Sequence, residues 1–367
     1  MRRSPIPVER LGLRALPRIA AALWRALRSD PQKSAAILRD IFFRPWRTLE
    51  LRLENAWAGL CAFYLAESFR ARGVEHIHAA WGNGPATAAW IVHRLTKIPF
   101  SISVHSGDVR PSDGALAEKL KSARFARANV SCNMPCLAAL EPGTDKHHLI
   151  YNVCTLAAAS PAEVRMLPPL RLLCVGRLLW LKGFQYAVEA VHLLRKRGLE
   201  AELTLVGSAG WADMSAGSCE RKLKRMVRDL HLDKQVLFRG FVTHDNVGAL
   251  MAASDMLLMP SIVLPGSGRS DSLPNVIMEA SLHGLPVIAT DVAGIGDVVR
   301  HGETGLLVPE RDASALASAI ERLARDREEA LRMAANARDL VTAMFDPDVT
   351  LGSLTALFSR HAGTAGT

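Results

Sequence analysis

Arg177 and Lys182 share the stretch "VGRLLWLKGF" (175–184), and Asp271 and Glu279 share "SDSLPNVIMEA" (270–280). On a single helix the two acids would stand ~12 Å apart along its axis, too far to share a proton or a metal ion. The flanking residues imply another arrangement. Ser272 reads as an N-cap, Pro274 as a first-turn residue, and the glycine of "LHG" (282–284) as a stop. Asp271 then belongs to a loop at the helix N-terminus, and Glu279 lies about two turns inside. The free N–H groups of that helix, starting near Leu273, suit an anion. Two cations in a glycine-bracketed loop suit a phosphorylated ligand, although either one alone is ordinarily a solvated surface charge. Glu279 can accept hydrogen bonds from a ribose diol, and Asp271 can meet hydroxyls beyond the phosphates. The division of labour expected is that the cations and the helix end hold charge while the acids read hydroxyls.

Such a constellation needs a scaffold that brings two loops together, about a hundred residues apart in sequence. From residue 75 the chain alternates apolar strands with helices. "VEHIHAA", "PFSISVH", "ANVSC" and "HHLIYN" read as strands of a first set, with a helix over 84–95. A proline-rich break at "MLPPL" (166–170) reads as a linker. "RLLCVG", "AELTLVG", "VLFRG", "DMLLMPS", "PVIAT" and "GLLVP" then alternate with helices over 184–197, 218–230, 245–253, the stretch after Pro274, and 295–300. Continuous apolar strands between helices imply parallel sheets covered on both faces, with ligands at the carboxyl ends of the strands. The expected organisation is α/β, with boundaries at 1–165, 166–345 and a C-terminal helix and tail over 346–367.

The bulk composition agrees. A chain of 367 residues, 49% hydrophobic, is long enough for two packed domains. No stretch approaches the ~20 apolar residues that span a bilayer, and no signal-peptide pattern is present, so a cytoplasmic location is expected. Six scattered cysteines read as reduced thiols. Cys132 and Cys136, with His147 and His148 downstream, do not have a close zinc spacing, and no metal is expected.

Charge is uneven: residues 1–52 carry +8 of the formal net +9. Within them, "LPRIAAALWRALR" puts Leu16, Ile19, Leu23 and Leu27 on one helical face and Arg18, Arg25 and Arg28 mostly on the other. Two readings fit: a helix lying on an anionic membrane with Trp24 and the leucines inserted, or an ordinary surface helix docked on its own domain. No recognition motif accompanies the charge, so nucleic acid is not an expected partner.

The stretches "GRLLWLKG", "AASDMLLMPS" and "SDSLPNVIMEASLHGLPVIATDVAGIGDVVRHGETGLLVP" resemble the donor half of the GT-B glycosyltransferases, specifically the retaining group called family 4, over about 166–345. The resemblance implies a GT-B fold: two Rossmann-like domains whose parallel sheets face a cleft. It also implies sugar transfer from a nucleotide-diphosphate donor, with retention of anomeric configuration and without a bound metal or other cofactor. Arg177 and Lys182 then resemble the pair that stabilises the leaving diphosphate, and Glu279 resembles the ribose-binding acid. Gly176, Ser272, Leu273, Pro274 and Asn275 fall in the donor-binding segments, and Gly294 and Gly296 near a turn that is either substrate-facing or structural. Asp271 replaces the glutamate usual at the first acid, one methylene shorter, which changes its reach to the donor sugar.

"HIHAAWGNGPATAAWIVHRLTKIPFSISVHSGDV" (76–109) resembles the acceptor-domain core of the same enzymes, especially those building bacterial exopolysaccharides. Matched so, His105 is expected near the reacting carbon of the donor sugar, and Asp108 on the acceptor side. Asn152 matches an Asn-Gly pattern in which Val153 replaces the glycine. A first strand with a glycine-rich turn, usual in these enzymes, has no counterpart here, so the N-terminal domain is expected to be incomplete. The implied acceptor is a polysaccharide or lipid-linked saccharide, met at the inner face of a membrane. The alternative is a non-catalytic nucleotide-sugar-binding or scaffold protein derived from this fold.

Overall fold

The computed structural model describes residues 8–110, 112–154, 161–208 and 216–362. By its internal contacts the chain divides into two units. The first comprises Met1–Asn129, Asn133–Leu149 and Leu357–Thr367, the second Val130–Cys132 and Ile150–Ala356. The division thus falls at Leu149, ahead of the expected boundary at 165, and it passes through the last helix.

The first unit opens with three helices, α1 (Leu16–Ser29), α2 (Pro31–Phe43) and α3 (Leu49–Ala71). Asp30 and Thr48 begin α2 and α3 by accepting the N–H groups of Lys33 and Leu51 through their side chains. Strand β1 (Ile77–Ala79), helix α4 (Gly84–Thr96), β2 (Phe100–Val104), α5 (Ser106–Val109), α6 (Leu116–Ser122), β3 (Ala126–Ala128), α7 (Met134–Leu140) and β4 (His147–Leu149) follow. The four strands are parallel and lie in sequence order, β1-β2-β3-β4. Among the described residues no strand precedes Ile77; the chain there is helical. The strand expected over "ANVSC" is displaced: β3 ends at Ala128, and Ser131–Asn133 form a 3₁₀ turn. Phe125, Ala126 and Ala128 are the buried positions that dock on β2, and this packing fixes the strand despite weak β propensity in "ARA".

Helix α1 docks on its own unit by one face and leaves apolar residues exposed on another. Ile19 and Ala22 are buried, whereas Leu16, Trp24 and Leu27 are 45%, 54% and 36% exposed. Arg25 pairs with Glu67 of α3 at 2.6 Å.

The second unit holds β5 (Leu170–Val175), α8 (Phe184–Lys196), β6 (Ala201–Val206), α9 (Ala216–Asp229), β7 (Val236–Gly240), α10 (His244–Ala252), β8 (Met256–Met259), α11 (Asn275–Leu282), β9 (Val287–Thr290), β10 (Leu306–Val308), α12 (Ala313–Arg325), α13 (Arg327–Met344) and, up to Ala356, α14 (Pro347–Ala362). Its six parallel strands run β10-β9-β8-β5-β6-β7. The order reverses at β5, which pairs with both β6 and β8. In such a sheet the crevice for a ligand lies past the carboxyl ends of the two strands that flank the reversal. The strands there are mainly apolar because helices cover both faces, and β8 and β9 are buried at every position.

Asp255, fully buried just before β8, ties this sheet to the segment leading into it. It accepts the backbone N–H groups of Arg165 and Arg171 at 2.8 Å each and the Arg171 guanidinium at 2.8 and 3.1 Å. Burial alone would raise its carboxyl; the hydrogen bonds from Arg171 and Arg165 overcome that and hold it below the usual carboxylate range.

Candidate active site

The loop after β5 owes its path to close backbone packing. A Cβ on Gly183, which has φ +65°, would stand 1.7 Å from the Pro260 carbonyl oxygen, so only glycine lets the start of α8 approach the end of β8. That approach carries Lys182, at the end of a 3₁₀ turn over Trp180–Lys182, back across Gly176. Its Nζ lies 2.6 Å from Asp271 Oδ2, and both side chains are largely shielded from solvent. Ser261 Oγ donates to the same carboxylate oxygen at 3.0 Å. Asp271 is therefore not free to read ligand hydroxyls alone, as the division of labour above supposes; in the ligand-free protein it neutralises the buried end of Lys182.

Helix α11 begins at Asn275 with Pro274 as its N-cap, two residues later than the Ser272 cap expected. Proline drives the residue before it into an extended conformation, so Leu273 cannot be helical and the helix starts beyond the ring. Ser272 instead serves the preceding loop, where its carbonyl accepts the Gly294 N–H at 2.9 Å. A Cβ on Gly294 would meet Val130 Cβ at 2.8 Å and the Ser272 oxygen at 3.2 Å, which favours the structural reading of that glycine.

These elements enclose a cavity of about 450 Å³ lined by Gly176, Lys182, Pro274, Asn275 and Glu279, together with Phe241, Val242 and His244 from the start of α10. The Glu279 side chain is half-buried and has no hydrogen-bond partner among the described residues. Burial holds its carboxyl above the usual range, with His244 and His283 partly opposing. The cavity thus offers an ammonium, a helix N-terminus and an unengaged carboxyl, a set able to take a phosphate at one end and a diol at the other. Arg177 follows Gly176 but is exposed and does not line the cavity. Phe241 is 80% exposed at its rim. Neither Phe241 nor His244 is marked by the spacing of charges in the sequence; the only cue is an aromatic residue in "FRGFVTHDN" just past a strand.

In the first unit, His105 and Asp108 sit at the carboxyl end of β2. Asp108 is 1% exposed and accepts the His105 backbone N–H at 2.8 Å. Its carboxylate stands 3.6 Å from His105 Nδ1, beyond hydrogen-bond range, and His105 Nδ1 and Asp108 Oδ1 are both buried without partners. The His105 ring stacks on the half-exposed Trp81, centroids 4.0 Å apart. The Trp81 loop is held from below by the fully buried Lys119, which pairs with Asp113 and donates to the carbonyls of Gly82 at 2.9 Å and Asn83 at 3.2 Å.

Among the described residues, no group of three or more His, Cys, Asp or Glu side chains is placed to hold a metal ion, and no helix is long and apolar enough to cross a membrane. None of the six cysteines is in a disulfide.

Comparison with known proteins places these features. Residues 169–326 match the family described as "Glycosyl transferases group 1". The amylovoran biosynthesis glycosyltransferase AmsK of Erwinia amylovora is 31% identical over 194 residues, 53% of this chain and 46% of that protein. A GDP-mannose-dependent alpha-(1-6)-phosphatidylinositol monomannoside mannosyltransferase of Mycobacterium tuberculosis is 33% identical over 187 residues, 51% and 46% of the two chains. The matches thus span about half the length of these relatives. Among solved structures, sucrose-phosphate synthase from Thermosynechococcus elongatus superposes with a TM-score of 0.73 at 22% identity, covering 84% of this chain and 79% of that one. Anabaena Alr3699/HepE in complex with UDP and glucose gives 0.68 at 19%, covering 81% and 80%. Residues 169–326 form a group 1 glycosyltransferase domain, in a chain with the GT-B architecture of two Rossmann-like units.

Proposed function

We propose that this chain is a retaining, metal-independent glycosyltransferase that moves a sugar from a nucleotide-diphosphate donor to a polysaccharide or lipid-linked saccharide at the cytoplasmic face of a membrane. The observation that carries this reading is the cavity in which Lys182, the α11 N-terminus and Glu279 converge at the strand reversal. When the bond from the sugar to the diphosphate breaks, negative charge grows on the departing oxygen. Lys182 and the free N–H groups of α11 are fixed in advance on that side of the cavity, where they stabilise the developing charge more than the ground state. A diphosphate entering the cavity competes with Asp271 for Lys182, which releases the Asp271 carboxylate toward the donor sugar. Glu279 accepts hydrogen bonds from the ribose. Arg177, exposed beside Gly176, is available to reach over bound phosphates.

The class of acceptor is supported by the relatives, one named for amylovoran biosynthesis and another for a mannosyl transfer to a phosphatidylinositol monomannoside. His105 is assigned to the donor sugar and Asp108 to the acceptor side, supported by the orphaned imidazole nitrogen and carboxylate oxygen at that corner.

The test is thermal unfolding of the protein with UDP, GDP, ADP and dTDP, repeated for Glu279→Ala and Lys182→Ala. A nucleotide at ~100 times its dissociation constant adds about 2.7 kcal/mol to the stability of the binding form. One nucleotide should shift the wild type and neither variant. No shift with any of the four, from folded protein, overturns the donor-site reading. A shift without release or transfer of sugar from the matching nucleotide-sugar would favour the non-catalytic alternative, which the shortened acid Asp271 keeps in play.

A further inference from the structure

On α3, Leu49, Leu53, Trp57, Leu60 and Tyr64 recur at steps of four, four, three and four residues, so all five lie on one face. Helix α1 and the turn before it cover only part of that face: Trp57, Leu60 and Tyr64 pack against Ala15, Ile19 and Leu11. The first turns of α3 project beyond this cover, leaving Leu49 and Leu53 69% and 63% exposed. The covering helix repeats the pattern. It buries Ile19 and Ala22 inward and turns Leu16, Trp24 and Leu27 outward. Two helices that pack side by side thus each leave an apolar strip without an internal partner.

The charge around these strips identifies what suits them. From Glu9 to Glu54 eight arginines are exposed, against four exposed carboxylates, Glu9, Asp30, Glu50 and Glu54, of which Glu9 accepts the Tyr64 hydroxyl and Glu54 the Gly84 N–H. Asp30 is already engaged as the cap of α2. Arg28 lies over the Trp24 ring, 3.8 Å from its centroid, so a cation and an amphipathic aromatic are presented together. Apolar side chains with a tryptophan, among arginines that outnumber the acids two to one, are complementary to the boundary between lipid headgroups and acyl chains. A protein partner with an apolar groove would match the leucines but leave the excess of arginine unanswered unless it were itself strongly acidic.

We infer that the outward strips of α1 and the first turns of α3 form a docking surface for a bilayer containing anionic lipid, with Trp24, Leu49 and Leu53 entering the interface and the arginines resting on headgroups. This rests on the membrane location proposed above and assigns it to particular residues; the docking surface lies in the first unit and is independent of the nucleotide cavity. The attraction has two parts, so each can be removed separately. Loss of the apolar contact weakens binding at every salt concentration, whereas loss of the cations weakens it most at low salt.

The experiment is co-sedimentation of the full chain with vesicles of phosphatidylcholine alone or with about one third phosphatidylglycerol, at low and at physiological salt. Binding should require phosphatidylglycerol and weaken as salt rises. Trp24→Ser combined with Leu53→Ser should weaken it at least about tenfold, and Arg14→Gln with Arg47→Gln should weaken it and flatten its salt dependence. All four positions are exposed, so the variants should keep the wild-type melting temperature and its nucleotide shift. The inference is overturned by no association with either vesicle, by equal association with both, or by a self-associating protein whose dimer is abolished by the same apolar substitutions. A retained nucleotide shift in any of those outcomes leaves the donor-site reading intact, and loss of the shift with retained vesicle binding does the reverse.

Discussion

The second unit turns its sheet back at β5, and the first unit winds its strands in one direction only. The reversal places two loops, after β5 and after β8, on either side of one crevice, and the ion pair between Lys182 and Asp271 joins them. The first unit has no such reversal among its described strands, and its polar residues are organised by burial instead. Lys119 and Asp113 are 0% and 1% exposed and anchor a loop rather than face a cavity. One unit uses a charged pair that, in the function proposed above, an incoming anion takes apart; the other uses one that holds a tryptophan and a histidine in place. Similar charge pairs thus serve opposite ends, and exposure to an incoming anion separates them.

Three perturbations sharpen this contrast. The largest effects should come from breaking the fully buried ionic contacts in each unit. Asp255→Ala strands Arg171 and two backbone N–H groups, and Lys119→Met strands Asp113; each should cost about 3–5 kcal/mol in chemical denaturation. Equal and small losses from both would mean that these pairs are solvated, and the contrast would collapse.

Next comes pH. His78 on β1 hydrogen-bonds Ser101 and Ser103 and packs edge-on against Phe358 of α14. Burial first, then the nearby His76 and Arg127, lower its pKa from 6.5 to about 4. The unfolded chain binds the proton more readily, so this contribution is fully present above pH 6.5 and is lost as pH falls toward 4. Between pH 7.5 and 5 it should amount to on the order of 2 kcal/mol. His78→Gln should therefore show a smaller loss of stability over that interval than wild type. An identical loss in the two proteins would assign the acid sensitivity elsewhere. The second unit carries the opposite sign at Glu279, whose raised pKa makes its folded form favour the proton. Stability from that group is greatest at low pH and declines as pH rises through the usual carboxylate range.

The smallest effect is expected at Thr48, whose hydroxyl caps α3 and bonds to neither charged pair. Thr48→Ala should cost about 1 kcal/mol and leave the pH dependence unchanged, a baseline for the other two. A change in its pH profile would mean that α3 is coupled to the histidine cluster.

Much of the second unit is legible in its sequence because its central strands are largely buried and so read as apolar runs, broken only by Arg171 in "LRLLCV" and unbroken in "MLLM". The first unit is less so. Its strands are short, and β3 is fixed by what Phe125 and Ala126 pack against rather than by its own pattern. At the candidate site, the convergence of Lys182, Asp271, Asn275 and Glu279 follows from motif spacing and strand order. That Asp271 is already paired does not, because it depends on Gly183 letting α8 approach the Pro260 carbonyl more closely than any side chain would allow. Nor does the exposure of Arg177, which precedes the 3₁₀ turn that carries Lys182 inward. Phe241 and His244 reach the cavity across a strand crossover, a contact that no local periodicity records.

The same reversal has a consequence during synthesis. Strand β5 can pair with β6 as soon as both have emerged, but its other edge waits for β8, with Leu172 meeting Met256. At about 5–20 residues per second the ribosome takes roughly 4–17 s to make the intervening chain. Through that interval an apolar strand edge at the centre of the future sheet stands open to any neighbouring nascent chain. The reversal that creates the ligand crevice in the finished protein is therefore also where the half-made protein is most open to mispairing, and a chaperone that binds extended apolar segments would find its target at "LRLLCV".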